Sequence, residues 1–272
     1  MLSTDRFPAD LTAFKASLLD ATGLGRYLAA LNISDVAACG GVPVALLFNC
    51  AMPSNFRVPK LVEIAVGMKD LAASVGVVIG GGDISSSLEM SLSATVMGYV
   101  ERERMLRRTG ARRGDTIFLT RYPGLTTAAL KYCTAASRFD WLSLEQTDRS
   151  KKQFALDPEV ALGRALVTSE SCTSCMDNTD GLGQSLSELA AESKCKFILD
   201  GDQFPLDDLV AKSALKLGED PVDFALGPGA DFGLVGTLAG EWESDTRGRS
   251  ASSHFTDRHC RGGAGGSSPQ AR

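Results

Sequence analysis

The chain has 272 residues, 44% of them hydrophobic, and a formal net charge of −5, which together fit one large or two medium globular domains with a sizeable core. The acidic balance and the scattered Lys and Arg residues argue against nucleic acid as a partner. No apolar run reaches the roughly 18 residues of a membrane span, and the N-terminal end lacks the order of a signal peptide, so we expect a cytoplasmic protein with no membrane association.

The first hundred residues predict a mixed layer of strands and helices. Residues 1–5 have the character of a strand that lacks its preceding segment. Helical apolar spacing runs over 10–31, and we expect Gly23 and Gly25 to break this helix in two. The further predicted elements are a helical turn at 36–41, strands at 44–52, 77–79 and 90–100, and a helix at 58–75. This order predicts an α+β layer.

Three glycines at 80–82 come directly before Asp83. Glycine lets the backbone approach an anion closely while the carboxylate binds a metal ion, although a tight turn between two strands would give the same pattern. Asp35 is open to a similar pair of interpretations, because an aspartate beside a helical segment can be either a metal ligand or a helix cap.

An arginine-rich run at 101–113 separates this part from a second unit. We interpret the run as a solvated connection, with attraction of phosphate as the alternative, and place a domain boundary within it. The predicted elements beyond it are a strand at 114–120, helices at 125–136, 158–169 and 181–193, an irregular polar segment at 137–152, a strand at 197–199 and glycine-rich turns at 223–238. The domains are then 1–105 and 106–243. Residues 244–272 have almost no apolar side chains, which predicts a disordered tail.

Two carboxylates three residues apart, on Asp177 and Asp180, stand at the start of the predicted helix at 181–193. This spacing can direct both carboxylates at one ion. Capping of the helix by Thr179 or Asp180 is the alternative, because an acidic residue near a helix start also interacts favourably with the helix dipole.

Histidine and cysteine limit the chemistry that the chain can perform. His254 and His259 are the only histidines and both fall in the predicted tail, so the folded part has no imidazole for a Ser-His triad, a phosphohistidine or a His-ligated metal. Cys172 and Cys175 have CxxC spacing, but no second pair or histidine lies near them to complete a zinc site. Catalysis must therefore depend on carboxylates, amides and hydroxyls.

Five short motifs follow one another along the chain. They are Ser3-Thr4-Asp5, Asn32-Ile33-Ser34-Asp35-Val36-Ala37-Ala38-Cys39-Gly40, Gly81-Gly82-Asp83, Leu106-Arg107-Arg108-Thr109-Gly110-Ala111-Arg112-Arg113-Gly114-Asp115 and Met176-Asp177-Asn178-Thr179-Asp180-Gly181-Leu182. In this order and with these gaps, the chain resembles the thiamine-monophosphate kinase family of the aminoimidazole-ribonucleotide-synthetase-like superfamily over about residues 2–238.

The resemblance implies ATP-dependent phosphorylation of thiamine monophosphate to thiamine diphosphate with the help of Mg²⁺. It also implies a homodimer in which the α+β N-terminal domains join their sheets into a barrel, each followed by a C-terminal α/β domain. The implied metal-binding residues are Asp5, Asp35, Asp83, Asp177 and Asp180, and the implied nucleotide-binding residues are Gly81, Gly82, Asp83 and Thr179. We assign no catalytic nucleophile or base, because the attacking phosphate monoester has a second pKa of about 6 and is largely ionised at neutral pH.

The chain also departs from the family pattern. Family members begin with a Gly-Asp-Asp segment that has no counterpart here, so we expect the N-terminus to be truncated. Where the family has Gly-Gly-Glu-Asp-Tyr, this chain keeps Asp231 and an aromatic residue, Phe232, which are candidates for substrate binding. Two alternatives therefore stay open: a catalytically impaired nucleotide-binding or dimerisation homologue, and another ATP-using member of the superfamily.

Overall fold

The structure is a computed structural model that describes residues 1–7, 13, 18–134 and 157–240. The strands are β1 (Leu2–Arg6), β2 (Val42–Met52), β3 (Val78–Ser86), β4 (Ser91–Tyr99), β5 (Thr116–Leu119), β6 (Cys172–Asp177) and β7 (Leu234–Leu238). The helices are α1 (Ala21–Ala38), α2 (Val58–Ser74), α3 (Leu125–Thr134), α4 (Val160–Ser169), α5 (Leu182–Ser193), α6 (Asp208–Leu217) and α7 (Pro221–Leu226). The predicted mixed fold of sheets and helices is confirmed.

The N-terminal part is a four-stranded sheet in the order β1-β4-β2-β3. β4 pairs antiparallel with β1 and β2, and β3 runs parallel to β2. Helices α1 and α2 pack on one face, where Leu28, Leu46, Met68 and Leu92 are almost fully buried in a single core. Because strand side chains alternate between faces, Ser3 and Asp5 of β1 also point towards this covered face, whereas their neighbours are exposed.

Helix α1 begins where Asp20 caps it. The Asp20 Oδ1 accepts a hydrogen bond from the Gly23 N–H at 2.7 Å, which satisfies one of the free donors of the first turn. The helix then runs without interruption to Ala38, so the expected break at the glycines is wrong. Residues 36–38 of the turn predicted at 36–41 belong to the last turn of α1.

The glycines of α1 and α2 lie where the two helices touch. A Cβ atom at Gly25 would be 1.9 Å from the carbonyl oxygen of Ile64, and one at Gly67 would be 1.9 Å from the carbonyl oxygen of Thr22. The missing side chains therefore let the two backbones approach closely. This contact offsets the low intrinsic helix propensity of glycine, which costs about 1 kcal/mol relative to alanine.

The other face of the N-terminal sheet is not covered by any described residue. Large apolar side chains point outwards from it, including Leu47 (51% exposed), Met97 (49%) and Tyr99 (60%). All nine residues of the edge strand β3 are exposed as well. The glycines at 80–82 and Asp83 lie inside this strand, so the glycine-rich turn considered from the sequence is a continuous strand paired with β2.

The second sheet has three strands in the order β5-β7-β6, with both pairings antiparallel. Its core includes Ile117, Met176, Leu189 and Val210, with side chains contributed by α3, α5, α6 and α7. A smaller cluster joins the two halves of the chain, because Ala38 at the end of α1 packs with side chains of α4, β6 and β7. This contact brings the end of α1 towards β6.

Several predictions for the second half need correction. Residues 197–199 form no strand; Phe197 and Leu199 instead pack as partly buried side chains beside the second core. The range 223–238, predicted as turns, includes most of α7 and all of β7. Strand β6 and helix α6 are further elements that the sequence does not predict. The irregular segment predicted at 137–152 and the tail predicted at 244–272 lie outside the described residues. Among the described helices, none is both long and apolar enough to cross a membrane.

Candidate functional site

Four of the five predicted metal-binding aspartates come together between the two sheets. Asp5 projects from β1, Asp35 from the last turns of α1, and Asp177 and Asp180 from the end of β6 and the loop that follows. Their charges affect one another: Asp35, Asp177 and Asp180 all raise the pKa of Asp5, and Asp35 raises that of Asp177. Residues far apart in the sequence therefore form one acidic group, which we call the aspartate group.

The first two members of the group are held by hydrogen bonds between β1 and α1. The Asp5 N–H donates to Asn32 Oδ1 at 3.0 Å, and the Asn32 amide donates to the Leu28 carbonyl at 2.9 Å. Two residues earlier in β1, the Ser3 hydroxyl donates to Asp35 Oδ2 at 2.5 Å. These bonds join the strand to one face of the helix, so the carboxyl groups of Asp5 and Asp35 face each other.

The other two members lie on a loop that is fixed by the chain before β7. The Asn178 N–H donates to the Gly233 carbonyl at 2.8 Å, and the Phe232 N–H donates to the Asn178 carbonyl at 3.0 Å. Gly181 closes the loop with a φ of 106°, in a space where a Cβ atom would be 2.4 Å from the Gly227 carbonyl oxygen. Glycine is required there both by its conformation and by the close contact.

Burial and repulsion disfavour the charged form of two carboxyl groups, those of Asp5 and Asp177. Burial, and then repulsion from Asp35, raise the pKa of Asp5 from 3.8 to about 6. The same two causes raise the pKa of Asp177 to about 6, although the positive charge of Arg108 acts in the opposite direction. Clustered carboxylates with raised pKa values are typical of functional sites that receive a cation.

Tyr27 is a further member of the site, outside the five sequence motifs. Burial and the charges of Asp180 and Asp5 raise the pKa of its hydroxyl group to about 12. Its ring makes edge-to-face contacts with Phe7 (5.8 Å between centroids) and Phe232 (5.4 Å). The available signal was its position two turns before Asp35, which places both side chains on one face of α1.

Asp83 lies apart from the group within one chain. The strand register aligns Asp5 with Ala94, Phe48 and Gly82, so β1 and β3 are opposite edges of the sheet. Three strand spacings separate them, which is about 14 Å. Gly81 and Gly82 lie at this same far edge, whereas Thr179 is half-buried between Asp177 and Asp180.

The two candidates for substrate binding have clear structural contacts. The buried Asp231 carboxylate accepts hydrogen bonds from the N–H groups of Gly124 (2.8 Å) and Thr126 (2.9 Å) at the start of α3. Phe232 has a φ of 56° and is 1% exposed, packed against Tyr27. Their role in substrate binding stays a prediction.

The donor set of the aspartate group suits a hard divalent cation. Every member supplies carboxylate oxygen, which Mg²⁺ prefers. Within the described residues, no three His, Cys, Asp or Glu side chains converge closely enough to hold one ion by themselves. This is compatible with Mg²⁺, which commonly uses one or two carboxylates and takes its other ligands from water and substrate phosphates. The residues therefore fit Mg²⁺ bound together with a phosphate-bearing substrate.

Comparisons with known proteins identify relatives of this chain. Residues 1–100 match the family model described as AIR synthase related protein, N-terminal domain. The chain is 30% identical over 217 residues to the thiamine-monophosphate kinase of Pyrococcus horikoshii, covering 80% of this chain and 66% of that protein. It is 31% identical over 210 residues to the thiamine-monophosphate kinase of Halobacterium salinarum, covering 77% of this chain and 67% of that protein. The chain thus spans about two thirds of the length of these relatives.

Solved structures show the same fold. The crystal structure of thiamine monophosphate kinase from Aquifex aeolicus superposes with a TM-score of 0.80 at 24% identity, covering 97% of this chain and 85% of that one. A structure described as AaThiL complexed with AMPPCP and TMP superposes with a TM-score of 0.73 at 23% identity, covering 88% of this chain and 74% of that one.

Proposed function

This chain belongs to the thiamine-monophosphate kinase family, and we propose that it transfers the terminal phosphoryl group of ATP to thiamine monophosphate, giving thiamine diphosphate. The observation that carries the proposal is the aspartate group. Its four carboxyl groups come from motifs that resemble those of the family, and they lie together between the two sheets. A related structure that holds an ATP analogue and TMP supports the choice of substrates.

Phosphoryl transfer requires that the phosphate groups be positioned and their charge neutralised, more than it requires a base from the protein. The accepting phosphate monoester is already largely ionised at neutral pH, and phosphoryl transfer passes through a loose transition state. The carboxylates of Asp5, Asp35, Asp177 and Asp180 would hold Mg²⁺ at the site, with one or two of them on each ion. When bound there, Mg²⁺ would supply positive charge to offset the repulsion between phosphate groups. The hydrogen bonds that fix β1 to α1 and the loop to β7 would keep the carboxylates in place without rearrangement.

The direct test is formation of thiamine diphosphate from thiamine monophosphate, ATP and Mg²⁺, with ATP binding measured on the same preparation. We expect Asp177→Asn to lower kcat by at least about 100-fold, the size of effect seen when a preorganised electrostatic contact is lost. Asp70→Asn is the matched control, because Asp70 is exposed on α2 and should leave the rate unchanged. Wild-type protein that makes no product would contradict the proposal.

A nucleotide-binding homologue without catalysis is the second candidate. It is favoured by the position of Asp83, which lies about 14 Å from Asp5 within one chain, three strand spacings away. ATP binding with no thiamine diphosphate formation would identify this alternative. Loss of both binding and activity would instead exclude both functions.

We also propose that the chain forms a homodimer through the exposed edge strand β3 and the outer face of the N-terminal sheet. An exposed edge strand of nine residues next to exposed Leu47, Met97 and Tyr99 is a surface that soluble proteins normally cover. Leu47→Lys should convert a dimer into a monomer in light-scattering measurements. Leu215→Lys, at an exposed leucine of α6, is the control and should leave the mass unchanged. A wild-type monomer at micromolar concentration would contradict the proposal.

A further inference from the structure

A basic pocket lies at the far end of α5 from the aspartate group. It has a volume of about 230 Å³, and its lining includes Arg112, Arg113, Lys194 and Lys196. Helix α5 begins two residues after Asp180 and ends at Ser193, immediately before the two lysines. Its 12 residues span about 18 Å, so the pocket and the aspartate group are separate sites.

The pocket is formed by two chain segments that are fixed to each other. The Ser193 hydroxyl oxygen accepts hydrogen bonds from the N–H groups of Gly110 (3.2 Å) and Ala111 (3.1 Å). The Cys195 thiol donates to the Ala111 carbonyl at 3.1 Å. These bonds attach the segment that carries the two arginines to the segment that carries the two lysines.

The arginine segment is itself a closed turn. The Asp115 N–H donates to the Arg112 carbonyl at 3.1 Å, and the Arg112 N–H donates to Asp115 Oδ2 at 2.8 Å. Both ends of the turn are therefore fixed. The four basic side chains start from a backbone that is preorganised, so a ligand would not have to order it.

The four cations have no carboxylate partner among the residues that the structure describes. Other arginines of the chain, Arg104, Arg108, Arg121 and Arg164, each form an ion pair with a glutamate. Asp115 is the carboxylate in the pocket, and its oxygen already accepts from the Arg112 N–H and from the Thr173 hydroxyl at 2.6 Å. The helix dipole accounts for a cation at Lys194, which follows the C-terminus of α5, but not for the other three.

We propose that this pocket binds a small anion that carries one or two phosphoryl groups, such as orthophosphate or diphosphate. Guanidinium and ammonium groups on a fixed backbone are the usual ligands of phosphate, through charge-assisted hydrogen bonds. Sites for drug-sized ligands occupy roughly 300–1,000 Å³, so the smaller volume suits the phosphoryl part of a ligand and not a whole nucleotide. The proposal does not depend on the kinase activity.

Titration calorimetry with inorganic diphosphate tests the proposal on the full chain. EDTA in the buffer removes divalent cations, so that the aspartate group cannot contribute metal-dependent binding. We expect saturable binding that the double variant Arg113→Ala/Lys196→Ala weakens by about tenfold or more, because each lost cation removes a charge-assisted contact. The control Lys69→Ala/Arg102→Ala removes two exposed positive charges elsewhere and should change the dissociation constant by less than about twofold at 0.15 M ionic strength.

A second measurement locates the bound anion. Cys195 lines the pocket, and Cys172 is another half-buried thiol that lies outside it. Diphosphate should slow alkylation of Cys195 by iodoacetamide, read by peptide mass spectrometry, and leave the rate at Cys172 unchanged. Absence of saturable binding, equal weakening in the two double variants, or an unchanged rate at Cys195 while diphosphate is bound would each overturn the proposal.

Discussion

Asp5 and Asp177 make the stability of the metal-free protein depend on pH. Both have a pKa of about 6 in the folded chain, above the ordinary 3.8, mainly because of burial and then because of repulsion from Asp35. Between about pH 4 and pH 6, the folded chain therefore binds protons that the unfolded chain has lost. The stability contributed by these groups is present below this window and decreases as the pH rises through it.

Asp177→Asn should stabilise the metal-free protein at neutral pH. The substitution removes a buried negative charge that Asp35 repels, and we expect the free energy of unfolding in EDTA at pH 7 to rise by about 1 to 2 kcal/mol. The gain should vanish near pH 4, where Asp177 is protonated in the wild type. Thermal unfolding across this pH range measures it, with Asp70→Asn as the control. A variant that is less stable than the wild type at pH 7 would show that Asp177 acts mainly as a hydrogen-bonding residue.

Two substitutions of Asp231 can distinguish a structural role of this residue from a role in substrate binding. Asp231→Ala would leave the Gly124 and Thr126 N–H groups without their acceptor, and we expect it to cost about 2 kcal/mol in urea unfolding. Asp231→Asn keeps one acceptor oxygen and should cost less. If Asp231 also contacts the substrate, the KM for thiamine monophosphate will rise in the Asn variant. An unchanged KM in that variant would limit Asp231 to its role at the start of α3.

The individual aspartates of the site could be predicted from the sequence, but their partners could not. Asp177 and Asp180 stand in a local motif, and a motif is visible without knowledge of the fold. Asn32 joins the site because β1 packs against α1, and the ring of Tyr27 lies there against Phe232. Both are contacts between distant parts of the chain. Side-chain type and spacing do not specify such contacts.

At the scale of elements, the helix glycines have a different role in the structure from the one that the sequence predicts. Gly25 was expected to end a helix because of its low helix propensity. It lies instead inside α1, at a contact with the backbone of α2. Tertiary packing overrides intrinsic propensity where two helices must approach closely. The strand β6 was missed for a related reason, because its polar start gives little apolar alternation and it becomes a strand by pairing with β7.

Gly67→Ala measures how much this helix contact contributes. An exposed glycine in a helix would gain about 1 kcal/mol from the substitution, because alanine is the better helix former. Here the new Cβ would be 1.9 Å from the Thr22 carbonyl oxygen and 2.7 Å from its carbonyl carbon, both backbone atoms. We therefore expect a net loss of about 2 to 3 kcal/mol in chemical unfolding. Gly201→Ala is the control, since nothing lies within 4 Å of a Cβ there. A neutral Gly67→Ala would mean that α1 and α2 can separate at little cost.

At the scale of the whole molecule, the exposed surface of the N-terminal sheet and the position of Asp83 both favour a homodimer. Its outer face and the strand β3 are exposed, and Asp83 lies on that strand, at the edge opposite to Asp5. A homodimer that places β3 of one protomer beside β1 of its partner would cover the exposed strand. It would also bring Asp83 to the aspartate group of the other chain, so that each site would contain residues of both protomers.

Mixing two inactive variants tests this shared site. In a dimer of Asp83→Asn with Asp177→Asn, one site would combine both substitutions and the other would have neither. A brief incubation lets the subunits exchange at random, and half of the dimers are then mixed. Each mixed dimer has one intact site of two, so activity should recover to about a quarter of the wild-type value. If Asp83 and Asp177 of the same chain serve the same site, every site in the mixture carries a substitution and no activity returns. Adding Leu47→Lys to both variants gives the control, because protomers that cannot associate should show no recovery.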